Sequence, residues 1–301
     1  MKPIAVIEAP TNLGLTPNED GTLSGVVRLP EAFKRAHFHE RLGADIAGRI
    51  TPPPYNPQRD ETVLVLNADE IHAFSRELAS MVGTVLDRGQ FPLVLGGDCS
   101  ILLGNLLALR HRGRYGLMFL DGHSDLYQPV PELPGAVADM DLALALGMGP
   151  AVLTAIDGVT PLIHKEDVVA FGYRDLAETA AYGLPAVADV GLNTYSLPTI
   201  RHLGLRQATQ SALQHLQRQD LAGVWIHLDA DVLDDTGMPA VDSRQPGGLQ
   251  YDELSAVLRM LFATNLIVGM GITIFDPDRD PTGAIARAFV DAIVEGMTRT
   301  P

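Results

Sequence analysis

The stretch Val224-Trp-Ile-His-Leu-Asp-Ala-Asp-Val-Leu-Asp-Asp235 opens apolar, as a buried strand does, and closes on carboxylates. Asp229 and Asp231 stand two residues apart, so on an extended chain both side chains leave by one face. Two ionised carboxylates at the end of a buried strand repel each other and lose hydration, and a cation is the natural compensator. Tyr115-Gly-Leu-Met-Phe-Leu-Asp-Gly-His-Ser-Asp125 repeats the design, with Asp121, His123 and Asp125 at every second position. A third run, Phe91-Pro-Leu-Val-Leu-Gly-Gly-Asp-Cys-Ser100, ends in a glycine pair followed by Asp98 and Cys99. Side by side and parallel, three such strands would end in one crevice, where open α/β sheets carry their sites.

Helices and strands alternate around these runs. Ile71, Phe74, Leu78, Met81, Val82 and Val85 recur at helical spacing within 68–88, and Gly89 is a helix stop. The same reading predicts helices over 30–42, 100–110, 207–219, 251–262 and 282–297, with another beginning at 140–146. Further strands are predicted over 2–9, 44–51, 164–173 and 266–275. Residues 10–30, rich in Gly, Pro, Asn and Asp, read as an irregular lid-forming loop with substrate contacts. Regular alternation with no repeat predicts an α/β fold on a mainly parallel sheet, with 1–301 as a single domain.

The 301 residues are 46% apolar and 20% charged, enough to bury a large core. No apolar run reaches the roughly 18 residues that span a bilayer, and no signal-peptide pattern opens the chain, so a soluble cytoplasmic protein is expected. A net charge of -15 argues against nucleic acid and against anionic membrane surfaces, both of which demand basic patches. The one cysteine, Cys99, excludes an internal disulfide and must be explained by packing or by chemistry.

A single Asp at a strand end commonly caps the following turn. Asp121, His123, Asp125, Asp229 and Asp231 are five ligand-capable side chains in two period-two clusters, a pattern that points to metal. Oxygen-rich sites with one imidazole favour hard or borderline divalent ions, Mn2+ first.

With these boxes in place the chain resembles the ureohydrolase family, which comprises arginase, agmatinase and formimidoylglutamase. The family's GGDHS, DAHxD and DxDxxDP boxes are matched in order by Gly96-Gly-Asp-Cys-Ser100, Asp121-Gly-His-Ser-Asp125 and Asp229-Ala-Asp-Val-Leu-Asp-Asp235. Its Gly-x-Arg-Asp stretch is matched by Gly172-Tyr-Arg-Asp175. The resemblance implies a three-layer α/β/α sandwich, trimers or hexamers, and two divalent ions. One ion would be held by Cys99, Asp121, Asp125 and Asp229, the other by His123, Asp121, Asp229 and Asp231, and Asp125 would also orient the nucleophile. The implied reaction is hydrolysis of a non-peptide carbon-nitrogen bond in a linear amidine or guanidino compound, giving an amine plus urea or formamide.

Departures from the pattern are informative. Cys99 stands where the family has His; as a ligand its softer thiolate would draw Zn2+ or Fe2+, and as a packing residue it would merely fill space beside the site. The family's proton-shuttle His falls on Ala138, and the Glu that pairs with the substrate guanidinium falls on Ile274. Asp139, Asp141 and Asp276 are the candidate replacements, Asp276 being two residues beyond Ile274 and on the same face of the predicted strand; the alternative for each is a solvated turn residue. Tyr127 and Pro134 stand where arginases place Asn and Ser, which argues against L-arginine as substrate. His227 reads as a core histidine satisfied by its neighbours, or else as a donor within the centre, and Arg174 with Asp175 as a buried pair. Three outcomes follow: a metal-dependent amidine hydrolase, a catalytically silent metal-binding relative, or a hydrolase of a modified guanidine such as a hydroxyguanidine.

Overall fold

In the computed structural model, which describes residues 2–182 and 187–298, eight strands form one sheet in the order β2-β1-β3-β8-β7-β4-β5-β6. The strands are β1 (Ile4–Ala9), β2 (Asp45–Arg49), β3 (Phe91–Gly96), β4 (Gly116–Leu120), β5 (Val168–Phe171), β6 (Asn193–Tyr195), β7 (Val224–Asp229) and β8 (Ile267–Thr273). Every pairing is parallel. β3, β4 and β7 are buried at every position, as expected of parallel strands covered on both faces.

Alternation along the strands sorts side chains into two cores. Met118, Leu120, Ile226 and Leu228 face one layer of helices: α1 (Leu29–Arg35), α2 (Phe38–Leu42), then, beyond others, the 205–216, 251–262 and 284–297 helices. Leu117, Phe119 and Trp225 face the other, which carries α3 (Ala68–Asp87), α4 (Ile101–Arg110) and α5 (Asp141–Ala145). The expected three-layer α/β/α arrangement on a parallel sheet is therefore the observed one.

Several expectations are corrected. β3 does not lie beside β7, because β8 runs between them. The helix expected over 30–42 is two helices: His37 adopts φ +59°, which turns the chain so that Phe38 meets Phe33 edge-on, ring centroids 5.0 Å apart. β6 and the short helix Leu176–Ala181 were not anticipated, since neither carries an apolar period. The 10–30 segment is no lid in its first half: Thr11, Leu13 and Leu15 are buried, and Thr11 accepts the Asp98 amide through its carbonyl at 3.1 Å.

Candidate metal centre

At the carboxyl ends of β3, β8, β7 and β4 the chain makes tight turns that aim side chains into one pocket. After β3, a Cβ on Gly97 would lie 1.6 Å from the Thr11 carbonyl oxygen, so only glycine fits there. That turn delivers Cys99, whose Sγ lies 2.7 Å from Asp229 Oδ2 and 3.2 Å from Thr273 Oγ1. After β4, Asp121 accepts the His123 amide at 2.7 Å. His123 then sets Nδ1 2.9 Å from Asp231 Oδ2, and its Nε2 3.1 Å from Ser243 Oγ. After β7, Asp229 accepts the Asp231 amide at 2.8 Å, and Asp231 accepts the Gly122 amide at 3.0 Å.

Three groups of donor atoms result, each with all members within 4.8 Å of one another: Cys99, Asp121, His227 and Asp229; Cys99, Asp125 and Asp141; Asp121, His123 and Asp231. All six residues expected from the boxes are thus brought together, with Asp121 shared between two groups. His227 and Asp141 join them. Among the described residues Asp121 Oδ2 and both Asp141 oxygens, all buried, have no hydrogen-bond partner. Crowded carboxylates with unused oxygens beside one thiol and two imidazoles fit divalent cations, so these buried residues could hold metal.

The electrostatics without a cation make the same point. Burial, then the charge of neighbouring carboxylates, pushes Asp121, Asp125 and Asp229 well above the ordinary carboxylate range; Asp141 is likewise pushed up by burial. Burial alone would do the same to Asp231, but the adjoining His123 and the Gly122 amide pull it below its ordinary value. Burial opposes a charge on His123, yet Asp231 overrides it and lifts the imidazole to about 10. Asp139, although exposed to solvent, is raised to about 7 by the protein crowded around it and then by the charge of Asp242.

A cavity of about 270 Å³ opens over the cluster. Its walls are Tyr127, Leu133, Pro134, Ala138 and Asp139 from the loop after β4, Glu178 and Tyr182, Asp242 and Ser243 after β7, and Ile274 after β8. No Lys or Arg lines it among the described residues, and no residue of 10–30 does. Glu178, Tyr182, Asp242, Ser243 and Thr273 escaped sequence reasoning, because each sits where only the packing of separate segments makes it a neighbour.

The three candidate replacements separate. Asp139 lines the cavity. Asp141 is fully buried near Cys99 and Asp125, neither solvated nor facing the cavity. Asp276 is elsewhere: it accepts hydrogen bonds from the Ser24 hydroxyl (3.3 Å), the Gly25 amide (3.2 Å) and the Asp278 amide (2.9 Å). β8 ends at Thr273 and Ile274 takes φ +69°, so the two-residue spacing no longer implies a common face.

Arg174 and Asp175 do not pair with each other. The Arg174 guanidinium donates to the carbonyls of Asp231 (2.9 Å), Leu233 (3.1 Å), Gln245 (2.9 Å) and Pro246 (3.2 Å). Asp175 accepts from the amide (2.9 Å) and hydroxyl (2.7 Å) of Ser124. A Cβ on Gly122 would lie 2.6 Å from the Arg174 guanidinium, which explains the glycine inside the second box. His227 is not satisfied either: neither ring nitrogen has a hydrogen-bond partner among the described residues.

The Arginase family profile matches residues 2–298. The chain belongs to the arginase family. An arginase from Bacillus caldovelox is 31% identical over 302 residues, covering 97% of this chain and 98% of that protein. The arginase of Bacillus subtilis strain 168 is 30% identical over 302 residues, covering 97% and 98%. The crystallised Bacillus caldovelox arginase superposes with a TM-score of 0.88 at 29% identity, over 100% of this chain and 99% of that one. Within the arginase family, then, this chain keeps the fold. No helix among the described residues is long and apolar enough to cross a membrane.

Proposed function

We propose that this protein is a binuclear metal hydrolase that cleaves a non-peptide carbon-nitrogen bond in a linear amidine or guanidino compound. The observation that carries the reading is the convergence of Cys99, Asp121, His123, Asp125, Asp229 and Asp231 beneath a 270 Å³ cavity. Cys99, Asp121, Asp125 and Asp229 would hold one divalent ion, and His123, Asp121, Asp229 and Asp231 the other. Mn2+ suits the second set, and the sulfur of the first brings in Zn2+ or Fe2+. Bound there, the ions supply Lewis acidity and lower the pKa of water at the site.

The chain's own residues do the rest. Asp125 accepts a hydrogen bond from the attacking water and orients it toward the central carbon. Asp139, beside Ala138, hands a proton to the leaving nitrogen as the carbon-nitrogen bond breaks, so that an amine departs and urea or formamide remains. The walls, acidic at Asp139, Glu178 and Asp242 and flanked by Tyr127 and Tyr182, accommodate a cationic or neutral chain. Among the described residues no Lys or Arg lines them to meet an α-carboxylate, and Tyr127 and Pro134 stand where arginases place Asn and Ser, so L-arginine fits them poorly.

A second substrate reading has its own observation. Ile274 puts an apolar side chain in the cavity where a guanidinium-pairing carboxylate would stand, which favours a less basic hydroxyguanidine. Metal analysis, followed by a screen for urea, formamide or ammonia release with Mn2+, Zn2+ and Fe2+ supplied separately, tests all of this. The panel is arginine, hydroxyarginine, agmatine, guanidinobutyrate and formiminoglutamate. Two ions per chain with turnover of at least one compound supports the proposal. Two ions with no turnover identifies a silent metal-binding protein, and no bound metal ends the reading. By the same family likeness the chain assembles as a homotrimer or hexamer, which light scattering in solution checks.

A further inference from the structure

His227 is fully buried on β7, two residues before Asp229. Its ring stacks on Phe119, centroids 4.7 Å apart and planes 9° from parallel, which fixes the imidazole plane. Neither nitrogen has a hydrogen-bond partner among the described residues, an expensive condition for a buried polar ring. Two carboxylate oxygens nevertheless stand near Nε2: Asp121 Oδ2 at 3.7 Å and Asp141 Oδ2 at 4.0 Å. Both oxygens are themselves unpartnered. Those separations are too long for hydrogen bonds. They suit donors that share one cation, since ligand atoms each about 2.0–2.3 Å from a common ion lie ~3–4 Å apart.

We infer that His227 and Asp141 are ligands of the ion held by Cys99, Asp121, Asp125 and Asp229, so that this subsite takes its imidazole from β7 and a further carboxylate from α5. The inference rests on the two-metal reading above and extends it to residues outside the three boxes. Cys99 Sγ, Asp121, His227 and Asp229 have donor atoms within 4.8 Å of one another, and Cys99 does so with Asp125 and Asp141. A structural imidazole–carboxylate pair would close to hydrogen-bond distance, and these groups do not. One thiolate and one imidazole in this subsite give it borderline-soft character, so it selects Zn2+ over Mn2+, while the oxygen-rich subsite of His123, Asp121, Asp229 and Asp231 does not.

The test is His227→Phe in the full chain, read by Zn2+ titration and by X-ray absorption at the zinc edge. Phenylalanine can stack on Phe119 and removes an unsatisfied polar ring, so the metal-free variant should melt no lower than wild type. Wild type is expected to bind two Zn2+ with two imidazole scatterers in all, from His227 and His123. The variant should lose at least about 100-fold in affinity at one subsite, because even residues that only support a ligand cost 10–100-fold, and should retain one imidazole. Asp141→Asn should weaken the same subsite and leave the imidazole count at two. Two tightly bound ions in His227→Phe with unchanged affinity overturn the inference while leaving the two-metal reading standing. A weakened site with an unchanged imidazole count overturns it too, since His227 would then act through another ligand. Absence of metal from wild type defeats both readings together.

Discussion

The Cys99 thiol lies against the Asp229 carboxylate, Sγ 2.7 Å from Oδ2, and the Thr273 hydroxyl stands 3.3 Å from the same oxygen. Sulfur therefore sits among hard oxygen donors at the meeting point of β3, β8 and β7. Replacing it with a harder atom of similar reach should change which ion the pocket prefers. Cys99→Ser is expected to shift the Zn2+ to Mn2+ affinity ratio toward Mn2+ by about tenfold or more. It should also release about one proton fewer per chain on Zn2+ uptake, because a ligating thiol must deprotonate. Competition titrations read both quantities, and an unchanged ratio with unchanged proton release would assign Cys99 to packing.

Arg174 gathers four backbone carbonyls from the loops that carry Asp231 and its neighbours. A lysine offers one ammonium and cannot span them. Arg174→Lys should lower unfolding free energy by about 2–4 kcal/mol, given roughly 1.5–3 kcal/mol for each hydrogen bond to a charged group and partial replacement by water. It should also weaken the His123 and Asp231 subsite more than the one at Cys99. Denaturant unfolding and metal titration measure the two effects, and loss confined to stability would limit Arg174 to a scaffold role.

Chelation should make stability fall as pH rises. In the metal-free chain Asp121, Asp125, Asp141 and Asp229 titrate above their ordinary range, His123 at about 10 and Asp139 at about 7. Each such group binds more protons folded than unfolded, so its stabilisation is complete at low pH and lost as pH climbs through the raised value. His227, lowered to about 3 by burial, has the opposite sign, but its contribution is complete once pH exceeds the ordinary histidine value of 6.5. Between pH 7 and 10 the metal-free protein should therefore melt progressively lower, and saturating Zn2+ or Mn2+ should remove most of that slope. Calorimetry across the range, with and without EDTA, checks the sign; a rising melting temperature would refute it.

Two cavity residues bear on the chemistry. Asp139→Asn should reduce kcat by about 10²–10⁴-fold, the usual worth of a general acid or base, while KM and metal content change little. Ile274→Glu returns a carboxylate to the cavity and should lower KM for substrates with an unmodified guanidinium. Steady-state kinetics on the best compound of the panel settles each, and full kcat in Asp139→Asn would move the proton donor elsewhere.

The sequence by itself determined every strand of the sheet except β6, and the acidic clusters at the ends of β4 and β7. A buried run followed by carboxylates at every second position leaves little freedom, because side-chain alternation is local and the charge must be compensated. The glycine pair was equally legible, although its cause, the Thr11 carbonyl, lies far back in the chain. Tertiary structure alone decided the neighbours. Period two says which side chains share a face but not which strand lies alongside, and so β8 with Thr273 entered between β3 and β7 unannounced. The same limit hid the unsatisfied state of His227, the turn of Asp141 toward Cys99, and the departure of Asp276 from the cavity at the left-handed Ile274. Those are relations between segments that meet only when the sheet closes up, and hydrophobic pattern carries no information about them.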